Sequence, residues 1–291
     1  MTHLSGLFNQ ENNVFLYNRS GAVKNVPKKE IECSCLDILG MRVDLVQIPD
    51  VISFMVKWIE NREKGSYIVI SNANDAVTSK KDEITRRAVN SSNLSVPDGI
   101  SLVLLARIVE RSVKKRVYGP DLMLEFLKMA EARGYTNFLY GTTQPTLERL
   151  TSNLIAKFPK LKIAGRYAPP FKPLSREEDE RVVEMINKAA PDALWVGLGT
   201  PKQQIWMFEH RDKLNVPVMV GVGAAFDFLS GTKLQAPRWI REHGFEWLFR
   251  LMTEPKRLWR RYLVNGSLFI YYMGKELILK RFCLMKYSHR V

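Results

Sequence analysis

The sequence predicts an α/β fold in which a parallel sheet is covered by helices on both faces. Two observations lead to this prediction. Uniformly apolar segments of strand length recur along the chain, and a segment with the period of an amphipathic helix follows each of the first four. Strands that are apolar at every position are typical of a parallel sheet buried on both faces. Their alternation with helices indicates a Rossmann-like arrangement.

The predicted elements also carry helix-start signals. Ser175 and Glu178 have the spacing of a capping box, and Thr200-Pro201 has the form of an N-cap and the first helical residue. The predicted strand–helix pairs are SYIVISNAN with DAVTSKKDEITRRAVNSS, TNFLYG with TQPTLERLTSNLIAKFP, KLKIAG with SREEDERVVEMINKAA, and DALWVGLG with TPKQQIWMFEHRDKL, after which VPVMVGVGAAF forms a last strand.

The pattern divides the chain into three parts. Residues 1–29 are polar and rich in asparagine, which predicts a poorly ordered segment. Residues 30–232 carry the alternating pattern of the α/β domain. Residues 233–291 are helical, aromatic and basic, and we call them the appendage.

Positive charge is concentrated in the appendage. The formal net charge is +14, and the residues from Arg238 onward carry twelve Lys or Arg against four Glu, which is more than half of the excess. Such a patch indicates an anionic partner, either nucleic acid or lipid headgroups and diphosphates.

The cysteines and the N-terminus indicate a reducing compartment. Cys33 and Cys35 are too close for a typical disulfide, and three cysteines fall short of a structural zinc site. We therefore expect all three, Cys283 included, to be reduced. The first twenty residues lack the basic start and apolar run of a secretion signal.

Several common motifs do not match. Gly197-x-Gly199 is followed by Lys202 where a dinucleotide fingerprint needs its third glycine. The chain has no G-x-x-x-x-G-K-[ST] phosphate loop, no G-x-S-x-G elbow and no Asp-x-Asp. We therefore predict no metal site and no cofactor, and we expect cationic side chains and helix N-termini to hold any diphosphate.

Small and polar residues collect directly after the predicted strands. In an open parallel sheet, ligands bind beyond the carboxyl ends of the strands, so a pocket built from these loops is expected. Its candidate lining residues are Asn72, Asn74, Asp98, Gly99, Gly141, Thr142, Gly197, Gly199 and Gln203.

Asp98 is the central candidate. It stands between Pro97 and Gly99, which is typical of a turn. A carboxylate at a strand end inside a pocket is also suited to act as a general base on a sugar hydroxyl. The residues around it leave both interpretations open.

Other candidates carry similar alternatives. Asn72 and Asn74 could hydrogen-bond a sugar, or Asn74 could cap the next helix. Arg116 lies in a basic run, which is either solvated surface or a phosphate-binding segment. Gln203 either faces a ligand or belongs to a helix-capping segment without a ligand. Asp227 could be catalytic or could pair with an arginine.

Two further groups of residues favour structural roles. Asp121 is expected to charge the start of a helix. The aromatic pairs Trp206–Phe208 and Trp247–Phe249 are expected in the core or in an interface rather than as a stacking platform.

At this point the motifs resemble a known family. NANDAV, PDGISLVLLARI, RVYGPDLM, FLYGTT, LWVGLGTPKQQIWM, GVGAAFDFLSG, APRWI and FEWLFRLMTEPKRLWRRYL occur in the order seen in the WecG/TagA/CpsF glycosyltransferases, glycosyltransferase family twenty-six. The similarity runs from about residue 35 to residue 263, and the signatures G-x-G-x-P-K-Q and E-W-L-x-R-L-x-x-E-P-x-R are together highly specific.

The resemblance implies an inverting, metal-independent glycosyltransferase. Its donor would be a UDP-sugar of the N-acetylmannosamine, N-acetylmannosaminuronic acid or glucose type. Its acceptor would be a polyprenyl-diphosphate-linked saccharide in bacterial surface or exopolysaccharide synthesis. The enzyme would be cytoplasmic and peripheral on the inner face of the plasma membrane, on an anionic lipid surface, and it could form a homo-oligomer.

The resemblance also assigns residue roles. It places the family's proposed catalytic base on Asp98, its active-site asparagine on Asn74, its phosphate-side arginine on Arg116 and its pocket glutamine on Gln203. In the family the appendage closes over the active site and supplies arginines, which match Arg250, Arg257 and Arg260.

Three positions depart from the family pattern. Asn72 stands where a threonine is common, Gln204 where a glutamate is usual, and Gln235 where an arginine is frequent. These changes could accompany the choice of sugar.

The uncharged segment 262–274 bears on membrane attachment. As a helix it would span only ~20 Å of a ~30 Å hydrocarbon core, so it is too short to cross a bilayer. Its aromatic residues and basic flanks fit an interfacial anchor, and the alternatives are a buried helix or a subunit contact.

Two other functions remain as alternatives at this stage. A nucleic-acid-binding protein would use the basic appendage, although no nucleic-acid-binding module is recognisable. A nucleotide-dependent dehydrogenase would need the glycine fingerprint that is incomplete here.

Overall fold

The computed structural model describes residues 5–9, 13–17, 23–26, 32–109, 115–278 and 287–290. The strands are β1 Ser5–Asn9, β2 Asn13–Tyr17, β3 Val23–Val26, β4 Glu32–Ile38, β5 Met41–Asp44, β6 Ser66–Ser71, β7 Leu94–Pro97, β8 Thr136–Gly141, β9 Lys162–Tyr167, β10 Ala193–Gly197, β11 Val218–Gly221 and β12 Tyr287–Arg290. The helices are α1 Ile48–Glu60, α2 Ala73–Lys81, α3 Glu83–Asn90, α4 Ile100–Val109, α5 Gly119–Arg133, α6 Gln144–Lys157, α7 Arg176–Ala189, α8 Lys202–His210, α9 Ala225–Leu229, α10 Arg238–Glu242, α11 Glu246–Thr253, α12 Pro255–Trp259 and α13 Asn265–Ile278, with a π-helical turn at Arg260–Val264.

A six-stranded parallel sheet forms the centre of the molecule. Its strand order is β7-β6-β11-β10-β8-β9, and every pair in it is parallel. The predicted α/β class is therefore confirmed.

The residues of each strand alternate between two hydrophobic clusters, one on each face. In β6, Ile68 and Ile70 belong to one cluster, whereas Tyr67 and Val69 belong to the other. Helices α1, α5 and α6 cover the first face, and α2, α4, α7 and α8 cover the second. Because both faces are buried, the strands are apolar throughout, which is the pattern visible in the sequence.

The central strands β6 and β11 define a switch point in the sheet. They are neighbours, but the helix after β6 packs on the face of Tyr67 and Val69, whereas α9 after β11 packs on the opposite face through Phe226. The two loops therefore separate above the sheet and leave a crevice, which is where open α/β sheets bind ligands.

Some strands were not predicted from the sequence. β1, β2 and β3 form an antiparallel sheet within the segment 1–29, and β12 pairs with β4, which in turn pairs with β5. These strands lack the uniformly apolar pattern of the central sheet. The division at residues 29 and 232 stays a prediction.

The appendage is largely helical, as predicted. One face of α13 buries Phe269 and Met273 in the core cluster that contains α2, whereas Ile270 is 73% exposed. The segment 262–274 therefore combines a buried face with an exposed apolar one. Within the described part of the chain, no helix is both long and apolar enough to cross a bilayer.

Candidate active site

Two cavities meet at the carboxyl edge of the sheet. The smaller, about 560 Å³, lies among the loops after β10 and β11 and the starts of α6, α8 and α9. The larger, about 1410 Å³, lies between α1, α4 and the appendage. Five residues line both cavities and form the boundary between them: Asn72, Asp98, Tyr118, Arg250 and Arg261.

Asp98 is held at this boundary by the backbone around it. Its N–H donates to Ser71 O at 2.8 Å, and the carbonyl of Pro97 accepts from Val117 N at 2.8 Å. The side chain is 26% exposed. Asp98 therefore lies in a tight loop and also faces the pocket, so the two interpretations of the sequence are compatible.

An ion-paired triad surrounds the carboxylate. Arg116 Nη1 lies 3.4 Å from Asp98 Oδ1, and Arg116 Nη2 donates to Glu246 of α11. The guanidinium also lies over the Tyr118 ring, 4.2 Å from its centroid. Arg116 is thus part of the site, and Glu246, which the sequence analysis missed, ties the appendage to it.

The surroundings change the acidity of both groups. Burial raises the pKa of Asp98 to about 6, with Arg116 opposing the shift and Glu246 adding to it. Burial disfavours the charge on Arg116, but the Asp98 and Glu246 carboxylates outweigh it and raise the pKa of Arg116. At neutral pH the triad therefore contains a deprotonated carboxylate whose basicity exceeds that of an ordinary aspartate.

The two asparagines after β6 have different partners. Asn72, not Asn74, caps α2, because its Oδ1 accepts from Asn74 N at 3.0 Å. Asn74 Oδ1 accepts from Asn265 Nδ2 of α13 at 2.8 Å, and Asn74 lines the larger cavity. Asn265 is therefore a second polar contact between the appendage and the site.

The glycine loops shape the smaller cavity. Gly141 has φ +134°, and a Cβ there would lie 2.6 Å from the carbonyl carbon of Gly197, so the ends of β8 and β10 meet only without a side chain. Thr142, a non-glycine residue at φ +53°, lines the cavity beside them. Gln203 accepts from Gly199 N at 3.1 Å and holds that loop against α8.

Beneath the pocket lies a buried acidic group that the sequence analysis also missed. Asp75 is fully buried, and it accepts from Asn72 N at 3.0 Å and from Gln204 Nε2 at 3.4 Å. Burial raises the pKa of Asp75 to about 6. The Asn72-x-x-Asp75 capping-box spacing was the available signal.

The appendage arginines are placed unequally. Arg250 lines both cavities and Arg257 lines the smaller one, where Glu254 binds it through two 2.7 Å contacts. Arg260 is exposed, lies over the Trp259 ring and lines neither cavity, whereas Arg261 lines both. Arg257 and Arg261 are four residues apart, the spacing of one helical face, whereas Arg250 lies on the separate helix α11.

The remaining candidates have structural partners. Asp227 pairs with Lys233 at 2.7 Å, and Asp121 is in the first turn of α5 and pairs with Arg241 at 3.4 Å. Trp206 stacks between Tyr140 and His210, as expected of a core residue.

The three positions that depart from the family pattern also make defined contacts. Gln235 Nε2 donates to the Tyr118 hydroxyl at 3.1 Å, Gln204 bonds Asp75, and Asn72 caps α2. Cys35 is buried, whereas Cys283 lies outside the described residues. Among the described side chains no group of three His, Cys, Asp or Glu is arranged to hold a metal ion.

The chain belongs to the glycosyl transferase WecG/TagA/CpsF family, whose model matches residues 36–282. It is therefore a glycosyltransferase, and the dehydrogenase and nucleic-acid alternatives are set aside. Among its relatives is the N-acetylglucosaminyldiphosphoundecaprenol N-acetyl-β-D-mannosaminyltransferase of Bacillus subtilis (strain 168), which is 31% identical over 74% of this chain and 85% of the relative. The protein of the same name from Staphylococcus aureus (strain NCTC 8325 / PS 47) is 28% identical over 82% of this chain and 92% of that protein.

Proposed function

We propose that this glycosyltransferase transfers a sugar, with inversion and without a metal ion, from a UDP-sugar to a polyprenyl-diphosphate-linked saccharide. The observation that carries the proposal is the position of Asp98 at the boundary of two cavities. A transfer reaction needs two substrates to meet at one base, and the boundary provides that geometry. Of the three donor types, N-acetylmannosamine is favoured by the names of the two relatives.

The smaller cavity is suited to the nucleotide donor. It lies at the switch point of the sheet, and Gly197, Gly199 and Gly223 line it. Backbone N–H groups at the starts of the neighbouring helices favour anions. Arg257 lines its wall and adds a cation.

The larger cavity is suited to an amphiphilic acceptor. Its lining includes the apolar side chains of Ile100, Val103, Phe269 and Ile270 as well as several arginines. A lipid-linked sugar diphosphate presents both kinds of surface. The cavity is also bounded by the appendage, whose apolar residues are partly exposed.

The reaction would proceed by one displacement. Asp98 takes the proton of the acceptor hydroxyl as that oxygen bonds to the anomeric carbon, and the bond from this carbon to the UDP diphosphate oxygen breaks with its electron pair. A single displacement inverts the anomeric centre. Guanidinium groups at the boundary stabilise the charge that develops on the departing diphosphate, which is the role a metal has in other transferases.

The decisive experiment is a donor panel with product analysis. Purified protein is given UDP-N-acetylmannosamine, its uronic acid or UDP-glucose with a polyprenyl-diphosphate N-acetylglucosamine acceptor, with and without EDTA. We expect a mass increase of one sugar with one donor, a β-linkage from an α-linked donor by NMR, and no effect of EDTA. Absence of transfer with every donor, or loss of transfer in EDTA, would contradict the proposal.

We also propose that the appendage attaches the enzyme peripherally to the anionic cytoplasmic face of the membrane. Leu263, Ile270 and Tyr271 are 52%, 73% and 60% exposed. Exposed apolar side chains beside basic ones are typical of an interfacial helix. Flotation with anionic liposomes should be lost in an Ile270→Glu/Tyr271→Glu variant and kept in Ile84→Glu on α3. If the double variant still floats but changes its oligomeric state, this surface is a subunit contact instead.

A further inference from the structure

Tyr118, at the boundary of the two cavities, has a buried ring in contact with two guanidinium groups. The residue is only 4% exposed. The Arg116 guanidinium lies 4.2 Å from the ring centroid, and the Arg241 guanidinium of α10 lies 5.1 Å from it. The Tyr118 hydroxyl accepts from Gln235 Nε2 at 3.1 Å. Cation–π contacts are strongest where water is excluded, so this ring is a favourable partner for both cations.

The backbone of Tyr118 is joined to the loop that carries Asp98. Val117 N donates to Pro97 O at 2.8 Å, directly before Asp98 in the chain. Tyr118 O accepts from Leu122 N at 2.9 Å where α5 begins. The segment that carries the ring is therefore hydrogen-bonded on one side to the Asp98 loop and on the other to a helix.

Arg116 has a long side chain, and its position decides which charge lies next to Asp98. Its Nη1 donates to Asp98 Oδ1 at 3.4 Å, and its Nη2 donates to Glu246 of α11. Each carboxylate thus binds one guanidinium nitrogen, and neither contact is the bidentate pair that fixes a guanidinium plane. A guanidinium that stacks on an aromatic face has its plane restricted by the ring, which is the contact that Tyr118 supplies.

We infer that Tyr118 is a positioning residue whose ring holds the Arg116 guanidinium against the Asp98 carboxylate. Gln235 and Arg241 hold the ring from the appendage side. This inference rests on the proposed function, in which Asp98 is the base. Tyr118 would act on the reaction through Arg116 rather than by touching the reacting atoms.

The charges around Asp98 fix the sign of the expected effect. Burial raises the pKa of Asp98, Arg116, Arg250 and Arg261 lower it, and Glu246 raises it. If the Arg116 guanidinium moves away, the largest opposing charge is lost and the pKa rises. Loss of the Tyr118 ring should therefore shift the acid limb upward, opposite to the effect of removing the Glu246 charge.

The test compares pH profiles of kcat/KM in wild type, Tyr118→Phe, Tyr118→Leu and Tyr135→Leu. Tyr135 is the matched control, because Arg133 lies over its ring at 6.0 Å and Tyr135 lines neither cavity. Tyr118→Leu should move the acid limb upward by about one pH unit, so that kcat/KM at pH 6 falls about fivefold relative to its own plateau. Tyr118→Phe keeps the ring, so its limb should stay near that of wild type, as should the limb of Tyr135→Leu.

A second measurement follows the Asp98 carboxyl without turnover. The ¹³C NMR signal of this carboxyl is titrated in aspartate-labelled protein and assigned with Asp98→Asn. Its midpoint should rise in Tyr118→Leu and stay unchanged in Tyr118→Phe. Because this readout needs no substrate, absence of transfer by the wild type together with the expected midpoints would contradict the proposed function and support the position of Arg116 inferred here.

The remaining outcomes decide the inference itself. An acid limb and an NMR midpoint that stay in place or move downward in Tyr118→Leu would overturn it, even if the plateau falls, because a purely structural role lowers the plateau alone. Equal shifts in Tyr118→Phe and Tyr118→Leu would also overturn it, since the ring would then not be the holding group. Circular dichroism and melting temperature identify a variant that fails to fold, in which case Tyr118→Met replaces Tyr118→Leu.

Discussion

The sheet edge and the appendage form opposite walls of the candidate site, and they differ in how their polar groups are satisfied. On the sheet side, Asn72 is bonded to Asn74 N and Gln203 to Gly199 N. On the appendage side, the buried Nε donors of Arg250 and Arg261 have no hydrogen-bond partner among the residues that the structure describes. The polar groups of the sheet edge are therefore held by their own hydrogen bonds, whereas these two arginine donors are left for a ligand in the proposed function.

Several contacts join the walls, and two of them involve proposed site residues. Glu246 of α11 binds Arg116, and Asn265 of α13 binds Asn74. Each connects an appendage residue to a residue of the α/β domain that the family resemblance implies is functional. In the proposed function, the base Asp98 belongs to the sheet edge, and the appendage residue Glu246 changes the pKa of that base.

The largest effect is expected from the base itself. Asp98→Asn should lower kcat by ~10²–10⁴-fold, the usual contribution of general-base assistance, with UDP affinity preserved. Asp212→Asn, which changes a carboxylate that is 94% exposed, is the matched control. Turnover within a few-fold of wild type in Asp98→Asn would show that the sheet edge does not supply the base.

The pH dependence should follow from the same group. Because the proposed base must be deprotonated and the pKa of Asp98 is about 6, kcat/KM should fall about tenfold per pH unit below pH 6 and level off above it. An acid limb near pH 4, the range of an unperturbed carboxyl, would contradict this assignment. The profile is measured with saturating acceptor and limiting donor.

Removing the charge of Glu246 should weaken the base from the appendage side. Glu246→Gln removes a negative charge that raises the pKa of Asp98 and leaves Asp98 as the ion-pair partner of Arg116, so the acid limb should move below pH 6. A shift of about one unit corresponds to roughly a tenfold weaker base and a loss of kcat of up to that size. A fall in kcat without movement of the limb would make Glu246 a purely structural contact.

The second contact should matter less. Asn265→Ala removes one hydrogen bond to Asn74, which is worth about 0.5–1.5 kcal/mol and predicts a two- to tenfold loss in kcat/KM. Asn153→Ala, which removes a surface amide bond to Leu229 O on α9, is the control. Equal effects of the two variants would argue against a specific role for Asn265.

The smallest effect on turnover is expected at Asp75, which lines neither cavity. Its raised pKa means that the buried carboxylate lowers stability as the pH rises from about 4 through about 6. Asp75→Asn should therefore stabilise the protein at pH 8 by on the order of 1 kcal/mol. After rotation of the Gln204 amide, its Oε1, which has no partner among the described residues, can accept from the new amide. A melting temperature at pH 8 below that of wild type would contradict this account.

The sequence predicts the sheet better than the appendage for a physical reason. Strands such as 193–197 are buried on both faces, so their composition alone reveals them, and the polar residues after them must lie at one edge. That rule predicts that Asp98 and Gln203 belong to the site. The hairpin β4–β5 carries polar residues and pairs with β12, which is distant in the sequence. No local sequence pattern therefore predicts this hairpin.

The appendage residues depend on tertiary contacts. The importance of Glu246 follows from its pairing with an arginine 130 positions earlier in the chain, which spacing does not reveal. The distinction between Arg260 and Arg261 depends on one π-helical turn, a local irregularity with no recognised sequence signature.

The pairing of β12 with β4 has a consequence for how the appendage can move. The chain leaves the α/β domain after α9, crosses the site and returns to hydrogen-bond with β4 through residues 287–290. The appendage is thus a strap fixed at both ends, and closing a chain segment in this way restricts the conformations open to it. Its arginines are therefore kept close to the crevice from both directions along the chain.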